Sequence, residues 1–162
     1  MNSKDFKKLD YQKLDSILYE LCELILKNQK DNSEYFGTVG ACILSPDGNK
    51  VSSTSVSPGD DWIHAEKAAI LKYKHEFGDI PKDSICITTL SPCSKPMIDR
   101  YGNSCTDLID NEDIHNVYCG YSDPTQDDSE NYKNKKFNII MTDNKKIQEL
   151  CKKFADTFLN KE

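Results

Sequence analysis

His64-Ala65-Glu66-Lys67-Ala68-Ala69-Ile70-Leu71 opens an apolar, alanine-rich helical pattern with a histidine and a glutamate at its start. Two later stretches belong with it. Ser84-Ile85-Cys86-Ile87-Thr88-Thr89-Leu90 is a β-rich run that leads directly into Ser91-Pro92-Cys93, and Cys105-Thr106-Asp107-Leu108-Ile109 opens a second short helical pattern. Helix, strand, cysteine, helix is an arrangement that can bring one imidazole and two thiolates together. These donors suit zinc, and three protein ligands leave the fourth tetrahedral position to water, the ligand count of a catalytic rather than a structural site. The candidate ligands are His64, Cys93 and Cys105. Glu66, two residues beyond the histidine, is placed to handle a proton on that water without binding the metal.

Upstream, Ser57-Pro58-Gly59-Asp60-Asp61 breaks the chain and offers N-caps, so a helix is expected from about Trp62 to His75, ending at Gly78. His64 then falls in the first turn. Residues i and i+2 do not share a face deep inside a helix. In the first turn, however, the amides lack intrahelical partners and the end is positively polarised, so both side chains can reach one small site. Downstream, a strand over 83–90 is stopped by Pro92, which puts Cys93 at the C-terminal end of a strand, where open α/β sheets place their ligands. Cys105 starts a helix, a position that favours thiolate. Cys119, inside the strand pattern Asn116 to Cys119, is the rival third ligand. Eleven residues, 94 to 104, separate Cys93 from Cys105. If both cysteines bind zinc this segment rims the pocket, and Lys95 or Arg100 meets a substrate phosphate; the alternative for each is a solvated loop. Ala65 and Trp62 are the remaining candidate substrate contacts. His75 and His115 have no comparable context.

The rest of the chain supplies a frame. Leu14, Ile17, Leu18, Leu21 and Ile25 give an amphipathic helix over 10–27, followed by a polar connection from Asn28 to Glu34. Tyr35 to Leu44 reads as a strand. Gly40 within it allows either a close ligand approach or plain strand packing. Ser45-Pro46-Asp47-Gly48 is a turn, and the serine- and threonine-rich strand Asn49 to Ser55 suits an edge. A loop over Gly120 to Lys136, a strand Phe137 to Met141 and a helix from about Asn144 to Leu159 complete the chain. This alternation implies a sheet sandwiched between helices. The seventeen-residue connection from 120 to 136 is too long for a tight hairpin, so the last two strands are expected to run parallel.

Size and charge narrow the classes of function. At 162 residues the chain, 1–162, reads as one domain. A net charge of −6 and a pI of about 5.1 argue against dedicated duplex binding, although a local basic groove stays open. Mean hydropathy is −0.67, and no apolar run approaches the ~18 residues of a membrane span, so no membrane partner is expected. Seven cysteines, an odd number set mostly in apolar patterns, do not look like a secreted disulfide framework, and the start of the chain is charged, so a cytoplasmic location is expected.

A histidine, a nearby non-ligand glutamate and a later Pro-Cys form the motif of zinc deaminases of nucleobases. The chain resembles the cytidine deaminase superfamily in Val39-Gly40-Ala41, in His64-Ala65-Glu66, in Thr89-Leu90-Ser91-Pro92-Cys93 and in Asn116-Val117-Tyr118-Cys119-Gly120. The superfamily motif is usually Cys-x-x-Cys; the longer interval here and Asp123-Pro124 are similar to the riboflavin-pathway pyrimidine deaminases. The resemblance implies a three-layer α/β/α sandwich on a mixed five-stranded sheet. It implies Zn2+ held by His64, Cys93 and Cys105, with Glu66 as the proton shuttle. It further implies a free aminopyrimidine base, nucleoside or nucleotide as substrate, and assembly as a homo-oligomer. Two other readings stay open. One is a deaminase of single-stranded nucleic acid, which needs aromatic and cationic side chains such as Trp62, Tyr101 and Arg100 beside the pocket. The other is a non-catalytic zinc protein with four protein ligands.

Overall fold

The structure, a computed structural model, describes residues 10–57, 63–92, 105–122 and 136–159. Helix α1 (Tyr11–Asn32) starts where the Asp10 side chain accepts from the Lys13 amide at 3.1 Å, and it buries Leu14, Ile17, Leu18, Leu21, Cys22 and Ile25. It runs five residues beyond the expected end at 27. The hairpin holds those polar residues in helix: Asn28 donates to Thr54 Oγ1 at 3.0 Å and Gln29 to the Phe36 carbonyl. The hairpin pairs β1 (Phe36–Leu44) with β2 (Lys50–Val56). Its turn has Gly48 at φ 96°, with the Gly48 amide donating to the Ser45 carbonyl at 3.0 Å.

Helix α2 (Ala65–Phe77) ends at Gly78, whose φ of 86° suits glycine and whose amide closes on the Lys74 carbonyl at 3.0 Å. Strand β3 (Ile85–Leu90) starts two residues later than expected, because Asp83 turns the chain at φ 69° and Ser84 bonds back to the Pro81 carbonyl. Short helix α3 (Cys105–Asn111), β4 (Asn116–Tyr121), β5 (Asn138–Met141) and α4 (Lys145–Leu159) follow.

The strands lie in the order β2-β1-β3-β4-β5, with β2 at one edge as its polar content suggested. β1 is antiparallel to β2 and β3, whereas β3, β4 and β5 are parallel. The expected parallel pairing of the last two strands is therefore present, with Val117 opposite Ile139. Alternate residues serve opposite faces. Cys42, Leu44, Ile85, Ile87 and Tyr118 pack with α1 and α4, while Ala41, Ile43, Cys86, Val117 and Cys119 pack with α2 and α3. The result is the three-layer sandwich, and the sheet is apolar on both sides because helices cover both. Asp15 ties the first helix to the far strands, accepting from Tyr118 Oη at 2.7 Å and Thr142 Oγ1 at 2.6 Å. No helix among the described residues is long and apolar enough to cross a membrane.

Two glycines sit where a helix packs closely on the sheet. A Cβ on Gly40 would sit 3.3 Å from Leu21 Cβ, so this glycine admits α1 to the sheet rather than a ligand. Gly120 was expected to begin a loop, but β4 continues through it to Tyr121, which pairs with Leu90. A Cβ there would lie 2.3 Å from Cys151 Sγ and 3.2 Å from the Thr89 carbonyl oxygen, so the α4 sulfur fills the space. Gly120→Ala should therefore overpack the α4–sheet seam, costing about 1–3 kcal/mol and lowering Tm by roughly 5 °C in a thermal melt. Adding Cys151→Ala should recover much of the loss, and an unchanged Tm for the single variant would contradict this packing.

Candidate active site

The backbone before His64 is pinned. Ile63 forms an antiparallel bridge with Val56 at the end of β2, its amide donating at 2.7 Å and its carbonyl accepting at 3.0 Å. His64 is extended (φ −65°, ψ 151°) and caps α2, its carbonyl receiving the Ala68 amide at 3.0 Å. The expected first-turn placement is thus corrected by one step: His64 precedes the first turn. This matters sterically, because an extended residue is not held to the helix's 3.6-residue period and can aim its ring independently of Glu66.

The His64 ring does not cap the helix. Its Nδ1 lies 3.3 Å from Cys105 Sγ, closing a gap of 41 residues. Cys105 is the first residue of α3 and is completely buried. Glu66, in the first turn of α2, is 3% exposed, and its Oε1 accepts from Thr88 Oγ1 at 3.2 Å. The positive end of the helix favours a carboxylate there. One nitrogen of His64, one oxygen of Glu66 and the sulfur of Cys105 all lie within 4.8 Å of one another.

This donor set fits zinc. Bond lengths near 2.0–2.1 Å to nitrogen and 2.3 Å to sulfur place two ligand atoms of a tetrahedral ion about 3.5 Å apart, close to the His64–Cys105 separation. Cys119 does not join the group. It sits inside β4 between Thr88 and Met141, fully buried, where desolvation and then the charge of Glu66 push its thiol far above the ordinary range. Cys86 is raised for the same two reasons. The six described cysteines, Cys93 not among them, are thiols.

Of the other residues singled out, Cys93, Trp62, Lys95 and Arg100 lie outside the described residues. Ala65 is fully buried in the core between α2 and the sheet. Sequence reading missed Thr88. The available signal was a Thr88-Thr89 pair in an otherwise apolar strand, since buried hydroxyls must find partners. Thr89 Oγ1 accepts from the Gly40 amide at 3.0 Å, and Thr88 faces Glu66.

The sequence model of the cytidine and deoxycytidylate deaminase zinc-binding region matches residues 13–121. No curated protein sequence matches the chain significantly. Solved structures share the fold at low identity. A diaminohydroxyphosphoribosylaminopyrimidine deaminase/5-amino-6-(5-phosphoribosylamino)uracil reductase from Thermotoga maritima is 21% identical with a TM-score of 0.68, over 93% of this chain and 42% of that one. This chain thus spans about two fifths of that protein. The Aspergillus oryzae Rib2 deaminase, a C-terminal deletion mutant, is 15% identical with a TM-score of 0.58, over 92% of this chain and 99% of that one. A guanine deaminase from Nitrosomonas europaea is 11% identical with a TM-score of 0.61, over 86% of this chain and 83% of that one. With two thirds of its length under the family's sequence model, and a sulfur and an imidazole nitrogen set side by side against a buried carboxylate, the chain belongs to the cytidine and deoxycytidylate deaminase family of zinc-binding hydrolytic enzymes.

Proposed function

We propose that the protein hydrolytically removes the exocyclic amino group of a free aminopyrimidine base, nucleoside or nucleotide, releasing ammonia. The observation that carries this reading is the buried Glu66 carboxylate held within 4.8 Å of the His64 and Cys105 donor atoms. His64, Cys105 and Cys93 would hold the metal. Zinc, when bound, makes water a nucleophile at neutral pH by lowering its pKa from about 15.7 to near 7.

The work of the chain's own residues falls on Glu66. Its carboxylate takes a proton from the attacking water as the water oxygen bonds to the ring carbon bearing the amino group. It then delivers that proton to the adjacent ring nitrogen. A second proton passes from the new hydroxyl through Glu66 to the amino group, the carbon–nitrogen bond breaks, and ammonia leaves with a carbonyl in its place. Burial keeps bulk water from intercepting these transfers, and the Thr88 contact fixes one carboxylate oxygen.

A small substrate is favoured by the charge of −6, since strand backbones are held electrostatically by cationic grooves. The likeness of fold to a protein described as a diaminohydroxyphosphoribosylaminopyrimidine deaminase, and the long interval between Cys93 and Cys105, support an aminopyrimidine ribotide within that class. A panel tests this: cytosine, cytidine, deoxycytidylate, an aminopyrimidine ribotide and single-stranded DNA and RNA oligonucleotides, scored for ammonia with and without zinc. Zinc-dependent ammonia release is expected from at least one free pyrimidine compound. Release from oligonucleotides alone would replace the reading with a nucleic-acid deaminase, and release from none would overturn it.

A further inference from the structure

Thr88 makes two contacts with one hydroxyl. Its Oγ1 lies 2.8 Å from the Leu90 carbonyl oxygen and 3.2 Å from Glu66 Oε1, and the residue is fully buried. A hydroxyl carries one proton, so it donates to one of these acceptors at a time. One acceptor belongs to the site, and the other precedes a candidate ligand in the sequence. Glu66 is the residue assigned the proton transfers above, and Leu90 lies at the end of β3, where the chain runs through Ser91 and Pro92 to Cys93.

We propose that Thr88 is a positioning residue for Glu66: its hydroxyl, seated between Glu66 Oε1 and the Leu90 carbonyl, ties the carboxylate to the end of β3. A buried carboxylate is held by hydrogen bonds, and Thr88 contributes one of them from the strand. The strand supplies the rigidity: Thr88 is paired on both sides, with Ala41 and with Cys119.

The inference rests on Glu66 being the proton shuttle, and the test separates the two. Thr88→Val keeps shape and β-propensity while removing the hydroxyl, and Thr88→Ser keeps the hydroxyl. With the fastest substrate of the panel, Thr88→Val should lower kcat on the order of tenfold, with KM within about twofold and zinc content unchanged. Thr88→Ser should stay within about threefold of the wild type. A second readout needs no turnover. In a thermal-melt cycle with Glu66→Ala, Thr88→Val should cost less in the double variant than alone, because the Thr88–Glu66 contact is already absent there. Wild-type kcat in Thr88→Val, equal loss in Thr88→Ser, loss of zinc in Thr88→Val, or additive melting shifts would each overturn the proposal. A wild type that deaminates nothing would instead bring down the functional reading, and the melting cycle would still decide the Thr88–Glu66 contact.

Discussion

Replacing Glu66 with Gln should lower kcat by about 10²–10⁴-fold, the range over which a positioned acid–base group contributes, while zinc content and the melting curve stay close to those of the wild type. The asymmetry follows from what the substitution removes. A glutamine amide keeps the length and shape of Glu66 and can present its oxygen to Thr88 Oγ1, now 3.2 Å from the carboxylate, so packing of the 3%-exposed side chain is preserved. It cannot accept a proton at neutral pH, so both proton transfers lose their carrier. It also removes a charge, which should relax the part of the upward push on the Cys119 and Cys86 thiols that comes from Glu66 and not from burial. Steady-state ammonia release and elemental analysis on the same preparation check the prediction. A Glu66→Gln protein turning over at the wild-type rate would remove the proton-shuttle role. Loss of zinc together with activity would make Glu66 a ligand, which its place within 4.8 Å of His64 and Cys105 permits geometrically.

The layers of the fold could be read in the sequence because they depend on periodicity. The helix-period run Leu14, Ile17, Leu18, Leu21 and Ile25 is buried as a unit, and the long polar interval before Phe137 goes with a parallel β4–β5 pair. The errors fall where a distant partner overrides local preference. Asn28 and Gln29 look like loop residues until the hairpin bonds them into α1. Gly120 looks like a loop start until Cys151 fills its missing side chain. His64 looks like a first-turn residue until the Ile63–Val56 bridge holds the preceding backbone extended. At the site, residue types were legible because zinc chemistry admits few donors, so His64, Glu66 and Cys105 stood out before any geometry was known. Thr88 did not, since a strand threonine is ordinary and only the position of Glu66 across the α2–sheet interface gives its hydroxyl a task.

Cys105→Ala should lower zinc affinity by more than about 100-fold, because altering only the groups that support a ligand already costs 10–100-fold. The sulfur removed is the one 3.3 Å from His64 Nδ1, and no other described cysteine joins His64 and Glu66. Activity should fall with metal occupancy, and added zinc should not restore it at concentrations that reload chelator-stripped wild type. Cys119→Ala is the contrasting variant. Its thiol lies within the β4 ladder, buried and pushed toward the neutral form, so its loss should cost some core packing and leave zinc stoichiometry intact. Competition titration against a chromophoric chelator separates the two. If Cys119→Ala lost the metal and Cys105→Ala kept it, the ligand assignment would pass to the strand cysteine. Cys105 would then be a buried helix-start thiol in contact with a histidine, and the eleven residues between it and Cys93 would no longer span the two sulfurs of one metal site.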